Sequence, residues 1–152
     1  MSQGPFRKGT GRSPVKEKVP AGRSSLTIET ICPDFQEWPD SWKGEDKDVP
    51  FGQGLIEAFR PFIQSLIDHG WSKSTIRNHI DNLWLLGGEI IREVNDDNEY
   101  RRFTPLQKLM QTIGLEGGPY CRHLDSDEEM RSFDATSRKL YKYLMEEKAR
   151  PS

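Results

Sequence analysis

The chain has 152 residues, a formal net charge of −2, thirteen glycines, ten prolines and two cysteines. That length bounds it to one modest core plus non-core segments, and Cys32 and Cys121, far apart in sequence, are neither a disulfide framework nor a zinc ligand set. The opening MSQGPFRKGT has no apolar run to serve as a signal peptide, and no window approaches the roughly 18 apolar residues of a membrane span. A soluble, cytoplasmic protein without a membrane partner is expected.

Charge is distributed in blocks. Residues 1–25 hold Arg7, Lys8, Arg12, Lys16, Lys18 and Arg23 against Glu17, whereas residues 26–50 hold only Lys43 and Lys47 against seven carboxylates. Three units follow: a basic tail (1–25), an acidic aromatic arm (26–50) and a helical domain (51–152). The tail, rich in Gly, Pro and Ser, has little to bury and is expected to be disordered. It reads either as a solubilising extension or as a basic arm that attracts nucleic acid by charge, with Arg7, Lys8 and Arg12 as its first contacts.

Within the arm, the run LTIETI from Leu26 to Ile31, ended by Pro33, predicts an extended segment. Phe35, Trp38 and Trp42 follow at steps of three and four, with Pro39 limiting any helix to about one turn. These aromatics either anchor the arm on the domain or form a docking peptide for a partner's groove.

From Gly52 to His69, the residues Leu55, Ile56, Phe59, Phe62, Ile63, Leu66 and Ile67 keep one helical phase. Pro61 predicts a kink or break near Phe59. Gly70 ends the helix, and His69 reads as a capping residue. Ser72 then N-caps a long helix to Asn95, so the turn between the two is only a few residues and they form a hairpin or a right-angled corner. In the second helix, Ile76, Ile80, Leu83, Trp84, Gly87, Ile90, Ile91 and Val94 make the inner stripe, with Leu85 and Leu86 outside it. An apolar surface this wide predicts cover from two sides. The pair Gly87-Gly88 costs roughly 2 kcal/mol in propensity, which a close approach by another helix or by the arm would offset.

The polar run NDDNEYRR leads to Thr104-Pro105-Leu106-Gln107, where a threonine cap, a first-turn proline and a capping-box glutamine coincide. This third helix stops at Gly114, and LEGGPY reads as loop. Ser126 caps the last helix, with acids in its first turn. Met130, Phe133, Ser137, Leu140, Tyr141 and Leu144 face inward; Arg131, Arg138 and Lys142, flanked by Lys139, form an outer basic ridge, with Asp134 placed to pair with Arg138. Such a ridge also fits an ordinary solvated face.

No catalytic arrangement emerges. Cys121, His123 and Asp125 gather in one loop, but a structural zinc needs four ligands and a thiol nucleophile needs a base placed by the fold. The Gly-rich stretches lack the Lys-Ser/Thr of a phosphate loop. His79 has no carboxylate at helical spacing. A non-enzyme without cofactor or metal is expected.

The stretch FRPFIQSLIDHGWSKSTIRNHIDNLWLLGGEII, with Gly70, Ser72 and Thr75 between two apolar helices, resembles the N-terminal core-binding (SAM-like) domain of phage integrases and other tyrosine recombinases. The start at Thr104-Pro105-Leu106 and the terminal LYKYL are similar too. The resemblance implies an all-α, four-helix orthogonal bundle of SAM-like core-binding type, preceded by the arm, that clamps double-stranded DNA through its second and fourth helices. It implies DNA contacts at Lys73, Ser74, Thr75 and Arg77, and at Arg138, Lys139 and Lys142. The recombinases' catalytic arginine, histidine and tyrosine have no counterpart: no His-x-x-Arg occurs, and Tyr141 and Tyr143 read as helix residues. The expectation is therefore a non-catalytic DNA-binding module of mobile-element or phage type. The alternative is a protein-interaction module whose partner meets Phe35, Trp38 and Trp42.

Overall fold

A computed structural model describes residues 26–150; the expected disorder of the tail lies outside that range. The described chain is all helical: α1 (Ile28–Ile31), a 3-10 turn (Phe35–Glu37), α2 (Trp38–Trp42), α3 (Asp48–Asp68), α4 (Lys73–Asp96), a second 3-10 turn (Asn98–Arg102), α5 (Pro105–Thr112) and α6 (Asp127–Ala149). No described helix is long and apolar enough to cross a membrane.

The arm departs from its expected form. LTIETI is not extended but closes one helical turn, because Thr27 and Thr30 make a reciprocal capping box. Ile28, Ile31, Cys32, Phe35 and Trp38 are all buried in the common core, so the arm is part of the fold. Helix α3 begins at Asp48, inside the segment assigned to the arm, and runs unbroken past Pro61. Pro61 lies on the exposed side. The carbonyl it leaves unpaired belongs to the equally exposed Glu57, where water can serve it.

One buried carboxylate fixes the start of α3. Asp48 accepts from the amides of Gly44 (2.8 Å) and Glu45 (3.0 Å), from Asn95 Nδ2 of α4 (2.8 Å) and from the Arg101 guanidinium. Burial alone would raise its pKa, but these hydrogen bonds, that of Arg101 foremost, outweigh it and hold the carboxyl below its ordinary value. A second clasp joins α4 to α5: Lys108, itself buried, pairs with Glu93 (2.7 Å) and lies 3.6 Å from the Tyr100 ring centroid.

Helix α4 is enclosed on more than its predicted stripe. Ile76, Ile80, Leu83, Gly87, Ile90, Ile91 and Val94 are buried as expected, but Leu86 is buried too and Trp84 is 41% exposed. The arm explains the exchange. Trp42 lies against Gly87, where an added Cβ would collide with its indole, and its Nε1–H donates to the Trp84 carbonyl (3.0 Å). Trp84 is turned outward along the edge of α2. The opposite flank of α4 meets α6, so arm and α6 cover it from either side while α3 packs on the stripe between.

Candidate nucleic-acid interface

The start of α4 forms as its sequence dictates. Gly70 takes a positive φ of 78°, His69 Nδ1 lies 2.7 Å from the Ser65 carbonyl, and Ser72 Oγ accepts from the Thr75 amide (3.1 Å). Lys73 and Ser74 are exposed here. Thr75 is more withdrawn, its Oγ1 accepting from Ser72 Oγ (2.9 Å). Beside them Trp71 is 46% exposed and carries Lys139 Nζ 5.1 Å from its ring centroid. This contact brings the basic part of α6 to the end of the molecule where α4 begins.

Arg77 turns the other way. Its Nη1 donates to the Ile31 carbonyl at the end of α1 (2.7 Å) and its Nε pairs with Asp81 (3.3 Å), so it ties the arm to α4. Arg138 and Lys142 lie on the side of α6 away from its buried stripe of Phe133, Thr136, Ser137 and Leu140. Among the described residues, Lys73, Arg131, Arg138 and Lys142 enter no ion pair. The expected Asp134–Arg138 pair does not form; Asp134 accepts from the Gly118 amide (3.0 Å) and holds the loop before α6. The basic positions are therefore divided: Lys73, Ser74 and Lys139 gather around Trp71, Arg138 and Lys142 adjoin them on α6, and Arg77 sits on the arm side. Arg7, Lys8 and Arg12 lie outside the described residues.

Beneath this end runs a polar seam that the spacing of apolar residues does not reveal. Asn78 donates to Ser132 Oγ (3.1 Å), and Asn82 to Ser132 Oγ (3.1 Å) and Thr136 Oγ1 (2.8 Å). His79 Nδ1 lies 2.7 Å from the same Thr136 Oγ1. That hydroxyl has one proton and two lone pairs, so while accepting from Asn82 it can donate to the neutral ring or accept from it according to the tautomer. Burial and the Lys139 charge push the His79 pKa down, which favours this neutral form.

Phe35 and Trp38 stack edge to face at 4.7 Å inside the core, and Trp42 follows at 5.7 Å, half-buried. Of the two readings of these aromatics, anchoring accounts for all three contacts, and Phe35 and Trp38 offer no surface to a partner. The loop of Cys121 and His123 packs beside α4 instead of forming a reactive centre. Both thiols are buried; Cys32 is pushed up to about 12 by burial and by Asp34, and Cys121 is raised by burial with Glu89 beside it, so neither is an activated nucleophile. Among the described residues no three His, Cys, Asp or Glu side chains come together as a metal site.

Three further features escape a reading based on apolar period: the buried Glu89 paired with Arg92, the Asp48–Arg101 pair, and buried Lys108. Asp48 and Lys108 find their partners on other elements, and Glu89, though Arg92 is one turn away, owes its burial to tertiary packing that apolar period does not report. No protein-family model matches the chain, and neither does a curated protein or a solved structure.

Proposed function

We propose that the chain is a non-catalytic module that binds double-stranded DNA through the end of the molecule where α4 starts and α6 passes. The observation that carries this reading is the seat of Lys139 on Trp71, which sets the unpaired basic charge of α6 beside the open first turn of α4. A helix N-terminus with Ser74 exposed suits a phosphate oxygen. Lys73, Arg138, Lys139 and Lys142 add attraction through counterion release, and the tail, with Arg7, Lys8 and Arg12, extends it. Thr75 holds the turn and does not touch phosphate, since its amide donates to Ser72 Oγ and its hydroxyl accepts from it, and Arg77 acts by fixing the arm. The resemblance to integrase core-binding domains supports the same two helices, and with it a SAM-like grouping and a mobile-element or phage setting.

The test is the affinity for a labelled mixed-sequence duplex as salt rises. Binding should fall steeply with salt, and the combined Lys73→Ala, Arg138→Ala and Lys142→Ala variant should lower the slope of log K against log salt by about 2 to 3, one phosphate per charge. Removing residues 1–25 should weaken binding further. Absence of binding at low salt, or a slope indifferent to the triple variant, would overturn the reading.

A further inference from the structure

Gly87 and Gly88 stand together in mid-helix, yet packing accounts for only the first. A Cβ on Gly88 would meet nothing nearer than Trp42 Cδ1 at 3.4 Å and Nε1 at 3.5 Å, ordinary contact distances. What the missing side chain leaves open is the floor of a cleft of about 300 Å³, which runs along α4 with α2 as one wall and His123 at its edge.

The two ends of this cleft are fixed in place. Trp84 is 41% exposed, but its Nε1–H donates to Ser41 Oγ (3.0 Å) and Ser41 Oγ donates on to the Trp38 carbonyl (2.7 Å). The indole thus presents a face to solvent without freedom to turn, which lowers the entropic cost of stacking something on it. Two turns along, Arg92 is held by Glu89, whose side chain is 7% exposed, and Asp96 adds a second carboxylate beside it. One guanidinium against two carboxylates leaves an uncompensated negative charge at one end of the cleft, with the aromatic face at the other. An anion would meet repulsion there; a cation on an apolar stem meets a π-face, a glycine floor and a carboxylate.

We infer that this cleft is a binding site for a cationic side chain, an arginine or lysine from a basic segment of a partner protein. The stem lies along the Trp84 face and crosses Gly88, with the charge directed to the Glu89 and Asp96 end of the cleft. The site lies on the C-terminal half of α4, apart from the DNA face proposed above, and does not depend on it.

The experiment is a titration of the isotopically labelled full chain with an arginine-glycine hexapeptide blocked at both ends, and with its glutamate-glycine counterpart. The Trp84 indole and Gly88 amide signals should shift saturably with the first and stay fixed with the second. Asp96→Asn should weaken binding at least fivefold. Gly88→Ala, which the fold accommodates, should weaken it similarly without lowering the unfolding midpoint. Equal response to both peptides, or unchanged affinity in both variants, would overturn the assignment. So would Trp84 and Gly88 signals that already move on Asp96→Asn without any peptide while later peptide additions change nothing, since the chain's own basic residues would then be the occupant.

Discussion

Gly87, Gly88 and Asp48 are constrained in three different ways. At Gly87 any side chain must displace the Trp42 indole, and overpacking of this kind costs about 1–3 kcal/mol, so Gly87→Ala should lower stability in urea unfolding despite alanine's better helix propensity. Gly88→Ala should be neutral or stabilising by up to about 1 kcal/mol, so opposite signs at neighbouring glycines are the expected result. Asp48 is constrained by charge. Its folded pKa lies below the unfolded value of 3.8, so its contribution is complete above the unfolded pKa and is lost as pH falls through the folded one. Asp48→Ala leaves Arg101 without its buried partner and should cost about 3–5 kcal/mol near neutrality, a difference that acid titration of both proteins should show shrinking as pH drops. The close approach that the sequence implies at the glycine pair occurs at Gly87 and not at Gly88. The role of Asp48 is not legible in sequence, since its four donors come from three separate segments.

At the scale of elements, what was legible followed from local chemistry. The Thr104–Gln107 capping box forms with both of its hydrogen bonds (2.9 and 3.1 Å), and Ser72 and Ser126 cap α4 and α6 as their positions imply. Errors arose where tertiary contacts decide. LTIETI carries β-branched residues that favour extension, but its two threonines cap each other and Arg77 takes the terminal carbonyl. Helical spacing puts Trp84 on the inner stripe, yet its ring is turned outward and held by Ser41 of α2. The α4–α6 seam yields a pH prediction. The His79 pKa is depressed below 6.5, so the unfolded chain takes up the proton first; stability is full above 6.5 and falls as pH drops towards the folded value. Protonation would also load Thr136 Oγ1 with two donors and place a second positive charge near Lys139. His79→Gln should remove this part of the pH dependence, read as an unfolding midpoint that falls less steeply as pH drops below 6.5.

For the whole molecule, the arm is the feature that reorganises the expected plan. The four long or capped helices that the sequence implies are present, but α1, the first 3-10 turn and α2 also form core, through Ile28, Phe35 and Trp38 respectively. Arg77 holds α1 to α4 on one flank while Asn82 and His79 hold α6 on the other, so Arg77 is set apart from Lys73 and the basic side chains of α6. The proposed DNA face is correspondingly smaller than the sequence implied: Lys73 and Ser74 with Arg138, Lys139 and Lys142. The most direct measurement is a map of backbone amide shifts in the full chain as a short duplex is added at low salt. Shifts concentrated at Lys73 to Thr75 and at Arg138 to Lys142, and abolished by added salt, are the predicted result. Shifts confined to Trp84 to Asp96, or none at any salt, would contradict it.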